Sequence, residues 1–291
     1  MIDHRRILIA ASLGLTVALG ALPAMAAPAP DKGAMPVDPV LRTAIDSPLR
    51  DGALRARDGA RHPLESLEFW GLKPGMTVID IQPGSGWWTD ILAPYLMRTG
   101  GHYIAAGADL DNPATSAGAR KGRANFEAKY GQKAVYGDVK VVGFGTKSGP
   151  LAPPGTIDLV LVSRETHNWV EGNFIAKAFA DIHAALKPGG IMAIEDHRAR
   201  PGADPKKGDG YLSEAYVIEQ AKKAGFVLAA RSEINANPLD TKDHPFGVWT
   251  LPPTRQSAPS GQPDNAAFDH TKYDAIGESD RMTLKFVKAA M

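Results

Sequence analysis

Short apolar strands alternate with helices along most of this chain, and this alternation constrains the fold more than any other feature. Six such strand segments are recognisable in order: "MTVIDI", "GHYIAAGA", "DVKVVGFG", "IDLVLVS", "IMAIED" and "VLAARSEI". Nearly continuous apolar strands separated by helices are typical of a parallel sheet covered by helices on both faces. A final segment, "RMTLKFVK", follows the sixth without an intervening helix, so we expect it to insert antiparallel. The sequence therefore predicts a doubly wound α/β sheet of seven strands.

A glycine-containing turn joins the first strand to the following helix, in the stretch "VIDIQPGSGWWTDILA". Gly84 and Gly86 permit positive φ angles and a close approach of the backbone to a ligand. The helix predicted to begin near Trp87 would direct its amide N–H groups towards the same place. This geometry is typical of a cofactor-binding loop, although a Gly-x-Gly turn is also compatible with a tight connection alone.

Four motifs together resemble those of class I S-adenosylmethionine-dependent methyltransferases: Asp80 ending the first strand, then "PGSG", "IDLVLVS" and "LKPGGIMAIED". The resemblance covers about residues 63–233 and the last strand. It implies a Rossmann-like, mostly parallel sheet in the order 3-2-1-4-5-7-6, with S-adenosyl-L-methionine bound over the carboxyl ends of the strands. The wording of "THNW", "EDHRA" and "GESDRMTLKFVK" also resembles a narrower bacterial group of exported predicted methyltransferases.

The resemblance implies cofactor contacts, and the sequence departs from the family pattern at two of them. The family opens its loop with a glycine, where this chain has Gln82 followed by Pro83. The acid that binds the ribose hydroxyls should fall near Gly107, whereas Asp109 and Asp111 come two and four positions later. We expect the following residues to contact the cofactor: Asp80, Gln82, Gly84, Ser85, Gly86, Asp109, Asp111 and Ser163.

Titratable side chains follow the fourth and fifth strands, where open α/β sheets place their sites. His167 in "SRETHNW" is a candidate general base, and Glu165 and Asn168 are candidate substrate contacts. In "IEDHRAR", Asp196 and His197 are candidates for an acid–base pair. The alternatives are that His167 is a hydrogen-bonded loop histidine, and that an arginine pairs with the acids to form a structural cluster.

Residues 235–279 form a long insert between the last two strands, and loops of this length are commonly lids or binding elements. Asn235, Asn237, Asp243 and His244 are concentrated in its first part, and we expect them to contact substrate. The alternative is an inert flap packed over the sheet edge.

Other catalytic chemistries find less support in the sequence. Cysteine is absent, which excludes disulfides and a thiol nucleophile. His167, His197 and His244, with Asp196 or Asp243, could form a catalytic metal site, but their dispersed spacing does not predict one. The G-x-S-x-G turn of serine hydrolases is not found in the sequence.

The first residues have the pattern of an export signal: Arg5 and Arg6, an apolar run too short to span a membrane comfortably, and Ala24-Met25-Ala26. We expect a signal peptide over residues 1–26, cleaved near Ala26 or Ala27, a flexible lead-in over 27–37 and one methyltransferase-like domain over 38–291. Cleavage would change the formal net charge of +1 to zero. A neutral chain is not typical of nucleic-acid binders, and no second apolar segment approaches spanning length.

Together these features predict an exported, periplasmic methyltransferase that uses S-adenosyl-L-methionine on a small-molecule or peptide-like acceptor. Two alternatives remain open at this point. One is a non-catalytic ligand-binding module on the same scaffold, and the other is a metal-dependent hydrolase or lyase.

Overall fold

The structure, a computed structural model, describes residues 38–290; the predicted signal peptide and lead-in lie outside the described residues. Its strands are β1 (Thr77–Ile81), β2 (His102–Ala108), β3 (Lys140–Phe144), β4 (Ile157–Ser163), β5 (Leu186–His197), β6 (Phe226–Ser232), β7 (Pro245–Val248) and β8 (Arg281–Lys288). Its helices are α1 (Pro39–Ile45), α2 (Gly52–Arg55), α3 (Asp58–Arg61), α4 (Pro63–Trp70), α5 (Thr89–Thr99), α6 (Ala117–Tyr130), α7 (Lys133–Tyr136), α8 (Thr166–Glu171), α9 (Ile175–Ala185), α10 (Glu214–Lys223) and α11 (Thr271–Ile276).

Seven strands form one sheet in the order β3-β2-β1-β4-β5-β8-β6. Strands β1 to β5 pair in parallel, and β8 is antiparallel to both of its neighbours, β5 and β6. Because β7 lies outside the sheet, this order is the predicted 3-2-1-4-5-7-6. The predicted fold class, including the antiparallel insertion of the last strand, is confirmed.

The central strands are buried on both faces, as their continuous apolar sequences require. Ile79 and Ile81 of β1 pack in a core with the apolar faces of α9 and α10. Val78, directly before Ile79 in sequence, points to the opposite face and packs in a second core with α1, α4 and α5. Successive residues of a strand alternate between faces, so an all-apolar strand needs a helical layer on each side.

Two boundaries differ from the sequence-based expectation. Strand β5 begins at Leu186, before the Lys-Pro-Gly-Gly turn that we expected to precede it, and its register with β4 shifts between Ile157 and Leu159. The helix after the glycine turn begins at Thr89, two residues later than predicted.

Among residues 38–290, no helix combines the length and apolarity needed to cross a membrane.

Candidate active site

The turn after β1 keeps its backbone in the left-handed region at three positions. The φ angles are 50° at Gln82, 57° at Gly84 and 86° at Gly86. A Cβ atom at Gly86 would lie 1.8 Å from the Tyr130 hydroxyl, whereas one at Gly84 would meet no atom within 4 Å. Gly86 is therefore required by packing inside the protein, and Gly84 leaves an open cradle on the ligand side.

Gln82 takes the conformation for which a glycine is expected, and its side chain has a structural role. The Trp169 indole N–H donates to Gln82 Oε1 at 2.7 Å, which ties the β1 turn to helix α8. Trp169 is fully buried. A left-handed conformation costs a non-glycine residue roughly 1–2 kcal/mol, and the hydrogen bond offsets part of this cost.

Replacing Gln82 with glycine tests this account. The variant loses the bond to Trp169 but relieves the backbone strain, so we expect its free energy of unfolding to stay within about 1 kcal/mol of the wild type. The control Gln82→Ala loses the same bond and keeps the strain, so it should destabilise the protein more. Urea unfolding of the two variants measures the difference, and a larger loss in Gln82→Gly would contradict the account.

Asp80, at the carboxyl end of β1, is a buried carboxyl facing the site. It is 1% exposed and accepts a hydrogen bond from the Tyr103 hydroxyl at 2.9 Å. Burial raises its pKa to about 7; the Tyr103 bond opposes this change and the nearby Glu165 adds to it. A cation in the cavity would stabilise the ionised carboxylate.

Two cavities meet at the β1 turn, and both lie at the carboxyl edge of the sheet, as predicted. Gln82, Gly84 and Glu165 line both of them. Most of the residues predicted to form the site line a cavity of about 310 Å³, the polar cavity. They include Asp80, Ser85, Ser163, His167, Asn168 and His197. The second, of about 350 Å³, lies against β2 and α6 and is lined by small and apolar residues together with Arg123. The pair offers a polar compartment beside a more apolar one, which suits a ligand with a charged end and an aromatic base.

Glu165 lies at the junction of the two cavities. Burial raises its pKa to about 7, although the Asn168 amide donates to Oε2 at 3.0 Å and favours the ionised form. Neighbouring Ser163 donates its hydroxyl hydrogen to Glu195 at 2.9 Å while also lining the cavity. Asp80 and Glu165 together form a carboxyl pair that can ionise to meet a cationic ligand.

His167 is held by a fully buried carboxylate. Its Nδ1 lies 2.8 Å from Asp196 Oδ1, and its backbone N–H donates to Asp196 Oδ2 at 3.2 Å. Burial lowers the pKa of His167, but the Asp196 charge and hydrogen bond outweigh it and raise the pKa above its ordinary value. With Nδ1 engaged, Nε2 is the ring nitrogen available to a ligand in the cavity, which is the arrangement of a positioned general base.

The second histidine of the site is arranged differently. The Nδ1 atom of His197 lies 2.6 Å from Ser279 Oγ, so Asp196 is paired with His167 and not, as expected, with the His197 ring. Burial and the positive charges of His167 and Arg164 lower the pKa of His197 well below its ordinary value. His197 is therefore a neutral hydrogen-bonding group beside the base; the ring centroids are 5.1 Å apart.

His167, Asp196 and His197 also have the spacing of a metal site, because one ligand atom from each lies within 4.8 Å of the others. The separation of these residues in sequence did not predict this convergence. Both Asp196 oxygens already accept hydrogen bonds, from the His167 ring and from backbone amides. Asp196 is thus placed to orient His167 more directly than to bind a cation.

The expected ribose acids are not brought into either cavity. Asp109 is 8% exposed, and its Oδ1 accepts from the backbone N–H of Asp111 at 3.1 Å within its own turn. Asp111 is exposed on the same turn. Gly107, at the position where the family has its acid, lines the second cavity directly.

The four polar residues predicted to contact substrate from the insert also lie away from the polar cavity. Asn235 is buried and donates to Ser66 and Thr283, while Asn237 donates to the carbonyls of Ile276 and Glu278. His244 pairs with buried Asp240 at 2.8 Å. Asp243 is exposed and accepts from Thr241. Asn235, Asn237 and His244 anchor the insert to the rest of the domain.

Sequence reasoning missed most of the residues that complete the cavity wall. The insert contributes Val248, Trp249 and the Pro252–Thr254 segment. Arg57 lies between α2 and α3, and Arg61 is the last residue of α3; each donates Nε to Glu278, at 2.7 and 3.0 Å. The signal in the sequence was a pair of arginines at helical spacing, but nothing local connects them with an acid more than 200 residues away.

With this geometry established, comparisons with known proteins are informative. Residues 55–244, more than half of the chain, match the family model described as "Methyltransferase domain". A SAM-dependent methyltransferase from Aquifex aeolicus is 23% identical, with 62% of this chain and 87% of that chain covered and a TM-score of 0.47. The [4+2]-cyclase SpnF is 16% identical, with 80% and 81% covered and a TM-score of 0.50. An S-adenosylmethionine-dependent methyltransferase from Mesorhizobium loti is 16% identical, with 77% and 96% covered and a TM-score of 0.46. No curated protein matches the sequence. The structural likeness to the cyclase concerns the fold.

Proposed function

The chain belongs to the methyltransferase domain family, whose members use S-adenosylmethionine, and from this premise we propose that it is an exported methyltransferase acting on a small-molecule or peptide-like acceptor. The observation that carries the proposal is the convergence of the β1 turn and the Asp196–His167 pair on one cavity. The basic start and short apolar run of residues 1–26 support export.

The residues around the turn fit the cofactor. Gly84 leaves room for a close approach of the backbone, and Asp80 and Glu165 supply two carboxyls beside the space where a sulfonium and an ammonium group would lie. Gly107 and the small residues of the second cavity leave room for the nucleoside, although Asp109 and Asp111 do not reach it in this conformation. When bound, the cofactor supplies an electrophilic methyl group.

The chain contributes alignment and proton removal. His167, oriented by Asp196, would accept at Nε2 the proton that the attacking atom of the acceptor loses. The side chains of Trp249 and of residues 252–254 line the cavity and would shield one side of the acceptor from water. Neutral His197 would donate or accept a hydrogen bond beside this base.

Isothermal titration calorimetry of the mature protein with S-adenosylmethionine and S-adenosylhomocysteine tests the proposal. N-terminal sequencing of the protein from the periplasm should first place the mature start after Ala26 or Ala27. We expect micromolar affinity for both ligands. A cation beside Asp80 and Glu165 lowers their pKa values, so binding near pH 7 should release protons and the heat should depend on the ionisation enthalpy of the buffer.

The outcomes separate the candidate functions. Affinity no better than millimolar for both ligands, with correctly folded protein, would eliminate the transferase and favour a module that binds another ligand. A metal-dependent hydrolase or lyase is the second candidate because of the 4.8 Å spacing of His167, Asp196 and His197. Stoichiometric transition metal in protein purified without chelators would favour that candidate.

A further inference from the structure

Arg164 lies directly after β4, between Ser163 and Glu165, and has an unusual backbone conformation. Its φ angle is 59°, and its backbone N–H donates to the Glu195 carbonyl at 2.7 Å, which fixes this conformation. A left-handed arginine is strained, and such strain is concentrated at functional sites. In this conformation, the Arg164 side chain lies on the wall of the polar cavity.

The Arg164 guanidinium lacks a hydrogen-bond acceptor among residues 38–290. Its nearest carboxylate oxygen is Glu278 Oε2, at 4.0 Å from Nη1, which is beyond hydrogen-bonding distance. Glu278 already accepts from Arg57, Arg61 and Arg281. The side chain of Arg164 is 26% exposed, and its fork of donors faces the cavity without a partner among the described residues.

The charges around this wall are unbalanced. Four guanidinium groups face two carboxylates, an excess of two positive charges; the groups are Arg57, Arg61, Arg164 and Arg281 against Glu195 and Glu278. Burial lowers the pKa of Arg164, and the positive charges of Arg281 and Arg57 lower it further against the opposing effect of Glu195 and Glu278. An oxyanion in the cavity would relieve this imbalance.

S-adenosylmethionine as a whole cannot neutralise the excess positive charge of these four arginines. S-adenosylmethionine carries a sulfonium, an ammonium and a carboxylate, so it brings one net positive charge. Asp80 and Glu165 are available to balance that charge. With both carboxyls ionised, the cofactor and this pair sum to one negative charge, so one positive charge of the four arginine groups remains for a second ligand.

From these observations we infer that the acceptor carries a carboxylate or phosphate group, and that Arg164 binds this group as a bidentate partner. The inference rests on the proposed function, since it assigns the anion to a methyl acceptor. Arg164 and His167 lie three positions apart and line the same cavity. Anchoring the oxyanion at Arg164 would thus hold the rest of the acceptor within the compartment that contains the base.

The test uses malonate and inorganic phosphate as probes, titrated into the wild-type protein with and without saturating S-adenosylhomocysteine. We expect at least one probe to bind the cofactor-loaded protein, with affinity reduced roughly 10- to 100-fold in Arg164→Gln. Arg164→Lys keeps the charge without the fork and should give an intermediate loss. Which probe binds distinguishes a carboxylate from a phosphate. Because the guanidinium has no acceptor in the described part of the chain, both variants should unfold at or above the wild-type temperature.

Arg255→Gln is the matched control, since it removes the same charge from an exposed arginine paired with Asp274 outside the cavity. An equal loss in this variant would reduce the effect to general electrostatics and overturn the inference. Failure of both probes to bind the wild type would also overturn it.

A further comparison measures the binding of S-adenosylhomocysteine and of 5′-methylthioadenosine, which lacks the amino-acid part. If Arg164→Gln weakens only the former, Arg164 binds the carboxylate of the cofactor and the inference is wrong. If S-adenosylhomocysteine does not bind the wild type, the proposed function fails, and the titrations without it still test the anion site.

Discussion

Replacing Asp196 with asparagine is expected to slow methyl transfer roughly 10²- to 10⁴-fold while S-adenosylhomocysteine still binds. Asp196 accepts from the ring Nδ1 of His167 and from the backbone N–H groups of His167 and His197. The NH₂ group of an asparagine at this position must face one of these N–H donors and cannot accept a hydrogen bond from it. If it faces the ring, the favoured tautomer places the proton on Nε2 and removes the base.

The pH dependence gives this prediction a second readout. The pKa of His167 is raised above its ordinary value, so the rate in the wild type should rise with pH through a value above about 6.5. Without the Asp196 charge, burial lowers the pKa, and the remaining activity should reach its plateau at lower pH. Formation of S-adenosylhomocysteine from labelled cofactor, with any acceptor fraction that the wild type methylates, measures the rate. NMR titration of the histidine ring measures the pKa directly.

Asp240→Asn is the matched control, because the chain contains a second buried carboxylate–histidine pair with the same 2.8 Å separation. Asp240 and His244 lie outside the polar cavity and anchor the insert. We expect this variant to lose stability without a shift in the acidic limb of the pH profile. Equal effects of the two variants on that limb would remove the case for His167 as the base.

Replacing Asp80 with asparagine is expected to stabilise the ligand-free protein and weaken binding of the cofactor. The buried carboxyl has a pKa of about 7 in the folded chain against 3.8 as its ordinary value. Asparagine has nearly the same shape, can still accept from the Tyr103 hydroxyl, and carries no charge to desolvate. The same change removes the carboxylate that would face the cationic cofactor.

The size of the stability change depends on pH. The folded chain binds the Asp80 proton more tightly than the unfolded chain, so this contribution to stability is fully present below about pH 4 and is lost as the pH rises to about 7. The difference between the two pKa values corresponds to roughly 4 kcal/mol at most. Urea unfolding should therefore show little difference between Asp80→Asn and wild type at pH 4, and the variant should be more stable by up to about 4 kcal/mol at pH 8.

Asp90→Asn distinguishes this effect from a general effect of removing buried carboxylates. Asp90 is 3% exposed, but it is paired with Lys129 at 3.1 Å and accepts from the Tyr130 hydroxyl. Its replacement should lower stability at neutral pH, because it breaks a satisfied interaction. If Asp80→Asn also lowers stability at pH 8, Asp80 is ionised and compensated in the ligand-free protein. Its assignment as a cofactor contact would be contradicted if calorimetry gave unchanged affinity for S-adenosylmethionine.

The fold was predictable from sequence because the pattern that specifies it is local and repeated. Each central strand is apolar on both faces, and this requires a parallel sheet between two helical layers. We expected no helix between the last two strands and therefore predicted an antiparallel last strand, which is confirmed, although the structure has the short helix α11 (Thr271–Ile276) before Arg281. The strand ends in turn placed His167 and His197 at one edge, where the structure brings them together.

The details of the site depend on side-chain partners that are distant in sequence. A polar residue in a loop has the same signature whether it binds a ligand or anchors the loop, so Asn235 and His244 could not be separated from true cavity residues. The partner of Asp196 could not be predicted either, because nothing in "EDH" indicates that Asp196 pairs with His167 and not with the adjacent His197. Arg164 lacked a signal because its distinguishing properties are purely three-dimensional: a left-handed φ, and a guanidinium without an acceptor within residues 38–290.

The bond between Gln82 and Trp169 also has an evolutionary consequence. A glutamine in place of the glycine would be unfavourable in a chain without the indole, and the indole N–H would lose its acceptor if the glycine returned. The two residues are 87 positions apart, yet the hydrogen bond makes the stability effect of a glutamine at this position depend on the tryptophan. We therefore expect that relatives with a glutamine at the position of Gln82 also have a tryptophan at the position of Trp169.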